Sequence, residues 1–454
     1  MRAITIMAAL LAVTVSSCSD EPADADADVD NSDAGGDSGG GDADSDSDAD
    51  EDIGPGDAGG DADADDAGSD ADPYDGGTGD PLGTCTDPDP PFSDDEQTLH
   101  DLPAGSWWQA PASTMRTVCP DRGDENCAAV ITAWSGGAYD TVHNRVLIFG
   151  GGHADYSGNE LYAFDIGTLT WSRLTDPSPS TYMDQDPLPD GQPVSRHSYD
   201  GLQYLTHADR FFAVGGSRWH DGGGTHVTWT FDPGANTWQD MEPENVPSFS
   251  NCCSDASAYD FASRRVYLHI TGYLVSYDFD TNRYETLSDF GFPPLWPRYE
   301  VWGDKRCLMD TSRDLLWCLG SGLVMVYDVA NDQYVTDDWV TTGGAPFSNA
   351  DQVGGHTEQI FETTGGEVIT ASAPGADYDA VSDEIVAWVG GGVWALDLET
   401  REWRHGTSEG APESPTSHGT YGRWRYIPRT NVFVLVNSVD DNVYFYKHTP
   451  GCGI

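Results

Sequence analysis

The chain has 454 residues, with 77 Asp and Glu against 21 Lys and Arg, and a formal net charge of −56. So acidic a protein is a poor partner for nucleic acid or an anionic membrane surface, and for a polyanionic glycan unless a local basic patch overrides the field. Just over half of the charge lies in residues 19–98, and no Lys or Arg occurs between Arg2 and Arg116.

Residues 1–18 read as a targeting segment. Arg2 supplies the positive start, Ile4 to Val15 an apolar run, and Val15-Ser16-Ser17-Cys18 a small-residue cleavage site. The run is too short to span a bilayer comfortably. The cleavage site resembles a bacterial lipobox. That resemblance implies lipidation of Cys18, export, and anchoring to a bacterial membrane, at the outer membrane or cell surface. The alternative is an ordinary signal peptide with an incidental cysteine.

Residues 19–98 are Asp, Ala, Gly and Ser with almost nothing apolar. Such a segment buries too little surface to offset its ordering entropy, so a disordered stalk of roughly 50 Å is expected. Runs such as Asp24-Ala25-Asp26-Ala27-Asp28 invite a calcium reading. They do not keep the register of a calcium loop, so only loose cation binding fits and no cofactor is expected.

From residue 99 the chain repeats itself. Five times an apolar residue precedes Asp and a ring follows six positions after that Asp: Phe164-Asp165 to Trp171, Phe231-Asp232 to Trp238, Tyr277-Asp278 to Tyr284, Tyr327-Asp328 to Tyr334, and Leu396-Asp397 to Trp403. Each copy reads as a strand, an Asp-opened turn and a second strand. A second hairpin precedes each, as in Tyr139-Asp140, a turn, then Arg145 to Phe149 closing on Gly150-Gly151. A sixth begins at Tyr426 and runs through Val432 to Val436. Two hairpins make a four-stranded sheet, and a series of such sheets predicts an all-β propeller of six blades.

These double glycines, aromatic-Asp pairs and ring-bearing last strands resemble a kelch-type β-propeller, of the kind found in the central domain of galactose oxidase, over about residues 105–448. The resemblance implies a fold rather than an activity. The sixth copy lacks its last strand, while Gly105-Ser106-Trp107-Trp108-Gln109 stands as an orphan before the first. A ring clasped by its two ends leaves no open edge, so the orphan is expected beside residues 442–447. The hairpin expected within Thr357 to Ala371 is an insertion or the remnant of a seventh blade.

Nine cysteines leave eight once Cys18 is set aside, an even number that suits disulfides in an exported chain. Cys307 and Cys318 lie symmetrically about a turn and should face each other. Cys85 and Cys452 flank the ring and would lock it, and Cys119 and Cys127 bracket a short loop. Cys252-Cys253 form a vicinal bridge or pair elsewhere. No Cys-x-x-Cys or Cys/His cluster supports a metal.

The turns inside each hairpin are tight, and the length lies in the other connections, which emerge together on one face. Function is expected there. These loops hold His153 and Tyr156; Arg196 and His197; Arg218, Trp219 and His220; Arg298 and Tyr299; His356; His418 and Arg423. His143 and His207, on the opposite face, are expected to be plain surface. One hypothesis is a binding module for a carbohydrate or protein ligand, acting as a monomer, with aromatic rings stacking on sugars. The other is a polysaccharide lyase or hydrolase, with His153 or His197 as base, Arg196 or Arg218 neutralising a carboxylate, and Tyr156 or Tyr199 as acid, by analogy with propeller lyases. Against both stands the plain reading that His153, Arg196 and Arg298 serve the structure through hydrogen bonds and ion pairs.

Overall fold

Hairpin turns and strand alternation build the architecture, and both are local. In four of the hairpins that open a blade, an Asp ends the first strand and takes the next turn's amides: Asp140 from Val142 and His143, Asp260 from Ala262 and Ser263, Asp310 from Ser312 and Arg313, and Asp379 from Val381 and Ser382. The residue before the second strand is left-handed in all six such hairpins, at Asn144, Asp209, Arg264, Asp314, Asp383 and Asn431. Asn and Asp tolerate that conformation best. In four of the six a strand tyrosine reaches this residue, pairing Tyr139 with Asn144, Tyr204 with Asp209, Tyr378 with Asp383 and Tyr426 with Asn431.

The repeated Asp of the second hairpins works the same way. Asp165, Asp232, Asp278, Asp328 and Asp397 each accept the amide three residues on. The ring six positions after each Asp lies directly opposite the residue before it, as Trp171 opposite Phe164 and Trp403 opposite Leu396. The sequence motif is a cross-strand pair.

The computed structural model describes residues 85–86, 88–122, 126–179, 185–247, 255–290, 295, 297–301, 303–406 and 409–452. Six four-stranded antiparallel sheets follow one another. Blade one comprises 137–140, 145–148, 162–165 and 170–173; blade two 202–205, 210–214, 228–232 and 237–240; blade three 256–260, 265–270, 273–278 and 283–289. Blade four comprises 306–310, 315–320, 323–328 and 333–334; blade five 375–379, 384–388, 393–397 and 402–405; blade six 424–427, 432–435, 444–447 and 106–109. The early strand closes the ring as expected, with Ser106 opposite Lys447 and Gln109 opposite Tyr444.

Each blade packs on both neighbours. In the strand 145–148, Val146 and Ile148 join Val432, Val434 and Phe445 of blade six, whereas Leu147 joins Phe211 and Trp229 of blade two. Six apolar clusters fill the six blade junctions in this way. Burial on both sheet faces explains why the second strands read as continuous apolar runs.

Two expectations need correction. The expected stalk reaches residue 98, yet Asp94–His100 is a helix joined to the propeller. Ser93 and Glu96 form a capping box, Leu99 is buried with Phe445, and Glu96 receives Asn144 and Arg429. The extra hairpin is Pro346–Ser348 with Glu362–Thr364, not two strands within 357–371; left-handed Gly365 redirects the chain into a short helix, Gly366–Ile369. It is an insertion between blades four and five, not a blade.

Cys85–Cys452, Cys119–Cys127 and Cys307–Cys318 are disulfides with Cα separations of 5.6, 6.2 and 4.1 Å. The targeting segment with Cys18, the Asp-rich runs and the Cys252-Cys253 pair lie outside the described residues.

Candidate functional site

The long connections bring the residues just before the innermost strands together at the ring axis. Several of these take left-handed backbone: Trp134 (φ 47°), Tyr199 (45°), Ala373 (44°) and Tyr421 (51°). Their backbones are linked, Tyr199 N–H donating to Trp134 O at 2.7 Å and Tyr421 N–H to Ala373 O at 3.3 Å. Three bulky aromatics in that region store strain of roughly 1 kcal/mol or more each, which persists only where surrounding structure fixes it.

An imidazole–indole stack rests on this floor. The Trp134 ring lies between His197, at 4.8 Å between centroids, and His418, at 3.5 Å. His418 is fixed through Nδ1 and Thr132 O at 2.7 Å. The His153 ring meets His197 edge to face at 5.5 Å. His197 is buried, and its Nε2 lies 2.8 Å from Asp155 Oδ2, on a carboxylate that is 43% exposed. Burial holds His197 below the usual imidazole range, against the pull of Asp155. As a neutral ring it donates Nε2–H to that carboxylate and keeps Nδ1 as an acceptor.

His153 and His220 are exposed, and Arg218 joins them from the neighbouring loop. The His153 amide donates to Arg218 O at 3.3 Å, while the Arg218 guanidinium holds Asp221 at 2.8 Å. His153, His197 and Arg218, distant in sequence, therefore meet at the junction of blades one and two.

Other candidates are occupied elsewhere. Arg196 is fully buried, donating to Asp186, Val194 O and Gly215 O. Arg423 is fully buried among the carbonyls of Ser135, Gly419 and Val436. Tyr156 is buried and donates to Glu160, and Tyr299 is buried and donates to Thr336. Arg298 pairs with Asp337 and lies over Tyr299 and Phe361. His356 pairs with Glu358. Trp219 packs on Leu188 and Val194. Some of these partners are near in sequence, as Glu160 and Glu358 are, and others distant, as Asp337 is; residue type and loop membership disclosed neither. On the opposite face His143 bonds Asp140, and His207, its side chain 3% exposed, stacks on Tyr259, so it is not plain surface.

Trp134, Asp155, Asp255 and Lys305 were not singled out by sequence. A signal existed for the floor, since Trp134, Tyr199 and Tyr421 each stand within two residues of a glycine just before an innermost strand. Asp255 and Lys305 lie at the starts of blades three and four, 3% and 1% exposed. Asp255 Oδ1 has no hydrogen-bond partner among the described residues, and Lys305 donates to Val301 O at 2.8 Å. A Cβ on Gly215 would fall 2.2 Å from Asp255 Oδ2, so only glycine fits there.

Burial pushes Asp255 up to about 7 from 3.8 and Lys305 down to about 8 from 10.5. Between about pH 4 and 7 the folded chain holds a proton at Asp255 that the unfolded chain has lost, so stability should fall as pH rises there. Above about pH 8 the folded chain loses the Lys305 proton first, so this contribution rises again. Urea titrations of wild type and Asp255→Asn across this range read the effect. The variant should lack the acidic-limb contribution, and parallel curves would contradict the assignment.

No protein-family model and no curated protein matches the chain. Among solved structures it is similar to a protein of unknown function from Bacteroides thetaiotaomicron, at 11% identity and a TM-score of 0.43, covering 74% of each chain. A nidogen/laminin complex gives 10% identity and a TM-score of 0.36, over 60% of this chain and 79% of that one. An auxiliary nutrient binding protein from Bacteroides thetaiotaomicron gives 10% and 0.41, over 68% of each. At such distances the site is read from its own residues.

Proposed function

We propose that this kelch-like propeller is a ligand-binding module that takes a carbohydrate at the long-loop face, where blades one, two and six meet. The observation that carries the reading is the rigid His153–His197–Trp134–His418 stack with the exposed Asp155 carboxylate at its side. Fixed imidazole edges, a carboxylate and the Arg218–Asp221 pair offer donors and acceptors for hydroxyl groups over a preorganised floor. The proposed setting is a monomer exported and anchored through lipidated Cys18, with the Asp-rich segment as spacer.

Binding is favoured over the lyase reading by the state of the candidate catalytic groups. The Arg196 guanidinium is occupied by Asp186 and two carbonyls, and the Tyr156 hydroxyl by Glu160. Neither is free to neutralise a uronate or to protonate a leaving oxygen.

A glycan array followed by calorimetry tests the proposal. Neutral oligosaccharides should bind, and His153→Ala or Asp155→Ala should weaken them at least about tenfold, the loss of about 1.4 kcal/mol of contacts. Binding untouched by either variant, a protein ligand only, or release of unsaturated uronates would each overturn it.

A further inference from the structure

The opposite end of the axis carries a second, independent feature. A cavity of about 160 Å³ is lined by residues of five blades, among them Thr141, Thr206, Tyr259, Thr311 and Arg425. A lining drawn from so many blades places it on the ring axis, and its threonines stand in the tight turns. It is thus the tunnel mouth on the face away from the long loops.

Arg425 forms its inner wall and is only 8% exposed. Its Nε donates to Gly422 O and its Nη2 to Gly137 O, both at 3.0 Å, with Leu202 O and Gln203 Oε1 at 3.5 Å. Nη1 has no hydrogen-bond partner among the described residues. No carboxylate touches the group either. Asp200 is held by Arg306 and the Cys307 amide, and Asp377 accepts the amides of Tyr378 and Tyr426. The guanidinium is thus mostly buried, opens to the cavity through Nη1 and has no contacting anion, which leaves a charged donor available to one.

We propose that this tunnel mouth binds one small oxyanion, of the carboxylate or phosphate class, with Arg425 Nη1 as the charged donor. Thr311 would add a neutral hydroxyl, and the Thr141–Thr206 pair, 2.6 Å apart, another. At about 160 Å³ the cavity has room for phosphate or a short carboxylic acid. The net charge of −56 repels anions at long range, so recognition rests on these short contacts.

Calorimetric titration of the full chain with sodium phosphate, sulfate and acetate, at ionic strength matched with chloride, tests this. One saturable site is expected for at least one of them. Tetrahedral ions alone, acetate alone, or all three would support the proposal and fix the geometry. Thr311→Glu places a carboxylate at the mouth without touching Arg425's carbonyl contacts, and should weaken binding at least about tenfold. Arg425→Gln should abolish it if that variant folds. Absence of saturable binding by all three ions, or binding that survives Thr311→Glu unchanged, would overturn the inference.

Discussion

Replacing Arg306 with Met should lower the unfolding free energy by about 3–5 kcal/mol, the cost of leaving a buried carboxylate without its partner. Arg306 Nη1 lies 2.9 and 2.8 Å from the two oxygens of Asp200, and Nε donates to Ala376 O at 3.1 Å. Asp200 also takes the Cys307 amide at 2.9 Å. One ion pair therefore ties blades two, four and five together at the axis, with both side chains at most 1% exposed. The Arg306→Met/Asp200→Asn double variant keeps an acceptor for Cys307 and removes the orphan charge, so it should recover much of the loss. Denaturant titration of the single and double variants gives the coupling. Equal losses in the single and double variants would mean that the charge is not what matters.

Removing the Cys85–Cys452 bridge, as the double Ser variant, should cost about 2–5 kcal/mol. The bridge closes a loop of 367 residues, whereas Cys119–Cys127 spans 8. In the chain-entropy account the longer loop stabilises roughly twice as much as the shorter, so the Cys119/Cys127 variant is the internal control. The ring is also closed by the four-residue strand Ser106–Gln109, by the Glu96–Arg429 contact beside it, and by Ser113 and Arg116 bonding to Asn442 and Asp440. A variant without the outer bridge that melts with the wild type would show that these contacts suffice.

The repeat was legible because its causes are local. An Asp that caps its own turn, an Asn or Asp that tolerates left-handed backbone, and a ring facing the residue before the Asp all act within one hairpin, and period-two alternation does the rest. The clasp was legible too, since an incomplete last blade and an orphan Trp107 strand need each other. The helix at Asp94–His100 was missed because acidic composition masked its Ser93–Glu96 capping box.

The site was only partly legible. Loop length pointed to one face, and there His153 lies against His197 and Arg218. What sequence alone could not decide was which charges stay free. Arg196, Arg423 and Arg218 are alike in type and loop setting, yet the first is enclosed with Asp186, the second among three carbonyls, and only Arg218, paired with Asp221, keeps a side chain 29% exposed. Burial of a side chain is set by segments far away in sequence that the closed ring brings against it. The sequence by itself therefore determined the blades, their order and their closure, through local turns and alternation. Only the tertiary structure decided which polar groups of the long loops stay exposed and which hold the ring together, because that depends on convergence of the blades at the axis.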